Sequence, residues 1–321
     1  MSGQSGRGVL YVRTEVEAGT YIDPTSGQAL LLEDFDWSLA GTPTVDRSAL
    51  IASTPAAVQH KVGAFYAEAS FTTPVYHWGA TDSATAHPHA ILYGASPMAI
   101  TVGGSDGADL TVRPLLGTSA ATTFSACFMN EAGNLYQFRG CRCVVEEIGA
   151  DTTGGILTQK VKFQGLWQAT PAAGSIDFSA VSYGSYVEVS ALGATLDLGI
   201  SGSAGLASWK LTTGQVLRPR SSQGTTYGHL VPLVGHESYA VLECNVEEVV
   251  EGTFAAWAAA IATTAAALSL SFPGGGGDTF VIDLPQATPT FPKLGDRDGL
   301  AVYTMTFNGH WSGRHYGLTF S

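Results

Sequence analysis

Several short runs in this 321-residue sequence carry residue types that can do chemistry. Gly103-Gly104-Ser105-Asp106-Gly107 has the spacing of a nucleophile elbow, which lifts a serine onto a sharp turn between a strand and a helix. The flanks do not suit it. Met98–Val102 and Ala108–Arg113 both read as strands, so the run predicts a hairpin turn. His77, His87 and His89, with Asp82 nearby, suggest zinc, because His-x-His on a strand sets two imidazoles on one face. Pro88 breaks that strand and no other His or Cys falls at ligand spacing, which favours a loop or a helix start. Cys141-Arg142-Cys143 lacks the second pair that a four-thiolate site needs. On one strand face its two thiols pack as small apolar groups.

The carboxylates are no more convergent. Glu146-Glu147 and Glu247-Glu248 are adjacent, so on a strand each pair points to opposite faces, whereas paired-carboxylate catalysis needs both groups at one point. Asp296-Arg297-Asp298-Gly299 opens like a calcium loop, but a plain turn serves there equally well. No phosphate-binding G-x-x-x-x-G-K-[ST] run exists, and Gly274–Gly277 leads into a strand, so it offers no helix N-terminus to a phosphate. These motifs assign no catalytic residue, no cofactor and no metal, and the expectation is a protein that is not an enzyme.

The elements that position these residues follow from an internal repeat. Gly155–Trp167, GILTQKVKFQGLW, aligns without a gap on Gly299–Trp311, GLAVYTMTFNGHW, 144 residues later. Phe124–Tyr136, FSACFMNEAGNLY, aligns in the same register on Leu268–Phe280, LSLSFPGGGGDTF. The identities fall at turn glycines (Gly133/Gly277, Gly165/Gly309) and at aromatic positions (Phe128/Phe272, Phe163/Phe307, Trp167/Trp311). Phe163, Trp167, Phe307 and Trp311 are therefore read as packing anchors. In this register Thr152–Gly155 faces Asp296–Gly299 without its carboxylates, so a turn explains both copies and calcium only one.

Each copy predicts a strand, a Gly-bearing loop, a second strand, a less regular stretch, and a long closing strand. Another strand precedes these, Lys61–Thr72 in the first copy and Ser238–Val246 in the second. One helix is expected in each. In the second copy Thr253 caps it, and Phe254, Trp257, Ile261, Ala265 and Leu268 form an apolar stripe. In the first it is shorter, capped by Asp82 or Ser83 or starting near His87–Pro88, and runs through Ala90–Tyr93. Ser185–Ser201 predicts a hairpin turning at Leu192–Gly193, and Thr170–Ser175 reads as the linker. Two domains result, residues 1–170 and 171–321.

Composition narrows the class. Hydrophobic residues reach 45%, but charged residues only 13%, about half of the ~25% usual in soluble domains. A surface so thinly charged is poorly defended against association, which points to burial between subunits. The net charge of −12 excludes a phosphate-gripping protein, whose affinity comes from Lys and Arg displacing counterions. The amino terminus, MSGQSGRGVLYVRTE, lacks a signal-peptide pattern. Thr253–Gly277 is uncharged, yet its Ala and Thr are too weakly apolar for a membrane span. The four Cys are expected as free thiols in a reducing cytoplasm.

Several runs, in order and spacing, resemble the tail tube proteins of siphophages. These are Arg13-Thr14-Glu15, Gly19-Thr20-Tyr21-Ile22-Asp23-Pro24, Gln28–Leu32, Arg47, Phe65–Phe71 and Ala90–Gly94. The most specific are Tyr136-Gln137-Phe138-Arg139-Gly140-Cys141 and the closing Lys160–Gly165, similar to the family's Tyr-x-Phe-x-Gly strand and its Phe-x-Gly ending. The likeness covers most of Gly8–Trp167 and, less clearly, Tyr186–Ser321; the second copy has Leu284 and Pro285 where the first has Gly140 and Cys141.

The resemblance implies a mainly β fold: two tandem β-sandwich or barrel tail-tube-like units, each with one flanking α-helix. It further implies stacked homo-oligomeric rings, three duplicated chains per ring with pseudo-sixfold symmetry, around a negatively charged conduit for DNA that passes without specific binding. Glu68, Glu188, Asp197 and Glu243, all in predicted strands, are the lumen-facing candidates. The partners implied are the chain itself, a tape measure protein, a tail terminator and distal tail or baseplate proteins, in a virion tail assembled in the host cytoplasm, with no membrane. Another tail or baseplate β-protein, a hub or terminator, is the nearest alternative. A carbohydrate-binding or hydrolytic β-sandwich is a further one; exposed aromatic platforms and converging carboxylates would favour it, but the recurrence of Trp167 and Trp311 at equivalent positions suits packing anchors.

Overall fold

The computed structural model describes residues 8–24, 29–41, 44–45, 61–77, 89–103, 109–115, 122–130, 133–150, 155–168, 172–173, 187–197, 206–226, 228–247, 265–274, 278–297 and 300–321. The chain is mainly β, as the sequence predicts. The first half runs through β1 (Gly8–Thr14), β2 (Ala29–Leu30), β3 (Glu33–Gly41), β4 (Thr44–Val45), β5 (Lys61–Val62), β6 (Phe65–Pro74), α1 (Ala90–Gly94), β7 (Met98–Gly103), β8 (Asp109–Pro114), β9 (Phe124–Asn130), β10 (Asn134–Ala150) and β11 (Thr158–Trp167). The second half runs through β12 (Ala172–Ala173), β13 (Thr195–Asp197), β14 (Leu206–Thr212), β15 (Gln215–Ser221), β16 (His229–His236), β17 (Val241–Glu247), β18 (Ala266–Pro273), β19 (Thr279–Pro289), β20 (Lys293–Arg297), β21 (Leu300–Gly309) and β22 (Gly317–Phe320).

The two halves pair their strands in the same order. In the first, β1 lies on β9, β9 on β10, β10 on β11, β11 on β6, and β6 on β3. In the second, β13 lies on β18, β18 on β19, β19 on β21, β21 on β17, and β17 on β14. The hairpin registers agree residue for residue: Tyr136 faces Phe128 as Phe280 faces Phe272, and Phe138 faces Ala126 as Ile282 faces Leu270. A further hairpin is inserted between equivalent strands, β4–β5 after β3 and β15–β16 after β14.

Period-two burial explains why these segments are strands. β6 alternates buried Phe65, Ala67, Ala69 and Phe71 with half-buried Tyr66, Glu68, Ser70 and Thr72. The inward residues of both halves merge in one core that contains Phe124, Phe138 and Phe163 with Phe272, Phe280 and Phe320. At ~1.5–3 kcal/mol for each large apolar side chain buried, this core drives folding.

The halves are joined edge to edge. β10 is 17 residues long; its first part pairs with β9, and Glu147–Ala150 pair with Thr212–Trp209 of β14. Two β-bulges let one strand serve both partners, one between Phe138 and Cys141 and one between Val145 and Glu147. Gly140 sits in the first at φ 57°, and a Cβ there would lie 2.9 Å from Val231 Cγ2 of β16. Strands β3, β6, β11, β10, β14, β17, β21 and β20 therefore follow one another across the molecule, four from each half.

Several expectations change. The end of the helix predicted after Thr253 is strand: Leu268 is buried in β18 opposite Leu284, because Leu268, Leu270 and Phe272 alternate with serines and period two prevails. Residues 253–264, with Phe254, Trp257 and Ile261, lie outside the described residues, as do Asp82, Ser83, His87 and Pro88. In the first half the helix is a single turn that buries Leu92 and Tyr93. Gly193 does turn the chain, at φ 79°, but its arms take other partners: Glu188 bridges Tyr76, Ser190 bridges Ile156, and β13 pairs with β18. Trp167 is buried, while Trp311 is 39% exposed against His315. The place facing Ile282, where Trp167 faces Phe138 in the first half, is taken by Leu318 of β22.

Candidate functional site

The eight-strand sheet has one apolar face on the core and one mainly polar face, which the β15–β16 hairpin covers at Val144, packed on Val234 and Leu217. In β11 Val161 and Phe163 are buried while Lys160 and Lys162 point the other way, as their alternation predicts. The same face receives Asp36 from β3, Glu68 from β6, Lys210 from β14 and Glu243 from β17, each out of phase with buried neighbours such as Ala67, Trp209, Leu211 and Leu242.

Glu146 and Glu147 both reach this face. Adjacent residues on a regular strand point apart, but the bulge between Val145 and Glu147 turns both carboxylates toward lysines. Glu146 lies 3.9 Å from Lys160, and Glu147 lies 3.9 Å from Lys210. Lys210 also lies 3.5 Å from Glu243, and Lys162 is paired with Glu68. Partial burial works to lower the Lys162 pKa, but the hydrogen bond and charge of Glu68 outweigh it and the net shift is upward. Each such pair is partly exposed and worth ~0–1 kcal/mol, so the pairs add little to stability.

Of the four lumen-facing candidates, Glu68 and Glu243 lie on this face, each beside a lysine. Glu188 lies apart, bridging Tyr76 past the end of β6, where burial first and the Glu188 charge second push the Tyr76 hydroxyl up to about 12. Asp197 pairs through its backbone with Ser269, and its side chain lies outside the description. Asp36, Lys160, Lys162, Lys210 and the two bulge glutamates belong to the site and were not among the candidates. For the lysines the available signal is alternation: Lys162 and Lys210 sit between apolar residues destined for the core, and Lys160 lies between Gln159 and Val161, both of which are buried.

The cysteines and His89 pack and pair within the fold. Cys127, Cys141, Cys143 and Cys244 are free and buried. Cys141 and Cys143 do share the core side, and Cys143 Sγ donates to Leu92 O at 3.0 Å. His89 is held between Gln159 Nε2 at 2.8 Å and Thr73 Oγ1 at 3.3 Å. Among the described residues no group of three or more His, Cys, Asp or Glu could hold a metal. Gly103 pairs with Asp109 in the β7–β8 hairpin, and Gly104–Gly107 lie outside the described residues. Arg297 of the calcium-like run faces Leu300 of β21, and Asp298 and Gly299 lie outside the described residues. No described helix is long and apolar enough to cross a membrane.

One buried carboxylate stands out. Glu15 accepts hydrogen bonds from Gly19 N (2.7 Å) and Thr123 Oγ1 (2.7 Å) on Oε2, and from Ser125 Oγ (2.9 Å) and Gly140 N (2.7 Å) on Oε1. It ties β1 to β9 and to the β10 bulge. No family model matches this sequence, and no curated protein matches it.

Proposed function

We propose that this chain is a structural subunit that assembles with itself into stacked rings, forming a hollow tube of the kind through which long-tailed bacteriophages pass DNA. The observation that carries this reading is the recurrence of one strand order in both halves, with the halves joined edge to edge. One molecule so built supplies two neighbouring staves of a wall. The halves, 1–170 and 171–321, are then diverged copies, and three chains complete a pseudo-sixfold ring.

The charged sheet face is the lumen wall. Its lysines are matched by carboxylates, so few free cations remain to displace counterions from a phosphate backbone, and DNA slides along it without being held. The chain catalyses no reaction and needs no cofactor. It acts in the virion tail after assembly in the host cytoplasm, against a tape measure protein, a tail terminator and distal tail or baseplate proteins.

Negative-stain microscopy of the purified protein tests this. Tubes or three-chain rings are the expected result. Rings that never stack would indicate a terminator or hub, and isolated monomers that bind glycans would overturn the reading in favour of a carbohydrate-binding sandwich.

A further inference from the structure

Among the described residues, the junction inside the molecule has an unfilled counterpart at its two ends. In the first half β10 runs unbroken to Ala150, and its last residues take β11 on one edge and β14 on the other. In the second half the corresponding length is divided into β19 and β20, with Pro292 between them. β20 faces β21 as the end of β10 faces β11: Lys293 faces Thr304 as Glu147 faces Lys160, and Leu294 faces Tyr303 as Ile148 faces Gln159. Among the described residues, β20 pairs with β21 alone, so the edge that β10 gives to β14 is unoccupied on β20.

The other end is open in the complementary way. β3 occupies in the first half the place of β14 in the second, since Trp37 lies opposite Ala69 of β6 as Leu211 lies opposite Leu242 of β17. Among the described residues β3 pairs with β6 alone. Burial records the difference. Ile148 is 1% exposed inside the molecular junction, whereas Leu294 at the matching place is 67% exposed. An exposed leucine on an unpaired strand edge is an association site unless something covers it.

We infer that β20 of one chain pairs antiparallel with β3 of a second copy, in the register of the internal junction, with a reversed ion pair selecting the partner. Copying Glu147↔Thr212 and Ile148↔Leu211 sets Lys293 opposite Ser38 and Leu294 opposite Trp37. Inside the molecule Glu147 reaches diagonally to Lys210. At the outer junction the same two places hold Lys293 and Asp36, with the signs exchanged. The exchange discriminates: Glu147 set against Asp36, or Lys293 against Lys210, meets like charge, so neither edge accepts the other's partner. The halves must then alternate around the ring, and an edge swapped between molecules is disfavoured.

This inference rests on the self-assembly reading, and the experiment separates the two. Analytical ultracentrifugation of the full chain compares wild type with Leu294→Asp, Lys293→Glu, Asp36→Lys and the Lys293→Glu/Asp36→Lys double variant. Leu294→Asp is expected to abolish assembly. Each single charge reversal is expected to weaken it roughly fivefold per contact at low salt, with a smaller effect at high salt, and the double variant to restore it. Because the native thiols are buried, Ser38→Cys and Lys293→Cys single variants mixed under mild oxidation should also form a disulfide-linked heterodimer. Assembly of Leu294→Asp and of the single reversals at wild-type strength, with no cross-link, would overturn this junction and leave self-assembly standing. A wild type that stays monomeric at every concentration would overturn both.

Discussion

Gly140 donates its backbone N–H to Glu15 Oε1 at 2.7 Å, joining residues 125 apart in sequence. The bond explains two features of the sequence together. Glu15 ends the first strand as a buried acceptor for four donors, and Gly140 makes the bulge that lets β10 turn toward β14. Glu15→Gln keeps the shape but sets an amide donor against one pair of donors, and should cost about 2–4 kcal/mol. Gly140→Ala meets both the left-handed φ and the 2.9 Å approach to Val231, and should cost about 1–3 kcal/mol. Urea unfolding of each variant measures both. Because the residues share one network, the double variant should lose less than the sum.

The thiols should be silent in the folded protein. Burial raises the Cys127 thiol to about 11 and the Cys244 thiol to about 12, and pushes Cys141 and Cys143 up as well. A disulfide reagent at pH 8 should label none of the four until denaturant is added, because thiolate is the reactive species. Fast labelling of any one in native buffer would contradict the core placement.

Stability should fall on mild acidification. Burial lowers the pKa of His77, His236 and His315 below the ordinary 6.5. Their neutral forms suit the folded state, so this contribution is intact above pH 6.5 and is lost as pH falls through the lower folded values. Thermal unfolding from pH 7.5 to 5 should show a falling midpoint, and His236→Gln should flatten the slope.

The charged face should become adhesive to DNA when its carboxylates are removed. Glu68→Gln with Glu147→Gln and Glu243→Gln releases Lys162 and Lys210 from the carboxylates paired with them. Fluorescence anisotropy with a short duplex should detect no binding to wild type at physiological salt, and weak, salt-sensitive binding to the variant. Equal behaviour of the two proteins would remove the electrostatic role assigned to this face.

The β class and the hairpin registers were legible because period-two burial and turn glycines are local signals. Phe128, Gly133 and Phe138 announce their hairpin. Non-local substitutions were not legible. Leu318 facing Ile282 where the repeat suggests Trp311 is a choice between two segments that both carry apolar residues. The offset between β19 and β21 also left no trace: Pro289 faces Phe307 where the repeat would place Ala287, and a shift of an even number of residues keeps every side chain on its own face. The charged face was half visible. Alternation marks Lys160, Lys162 and Lys210, but the bulge that turns Glu146 and Glu147 to one side depends on a partner strand far away in sequence.

Native mass spectrometry of rings released from purified tubes tests the central claim most directly. The account predicts three chains per ring, with averaged end-on images of the same particles showing six similar lobes. Six chains per ring, or a monomer with no ring at any concentration, would contradict it.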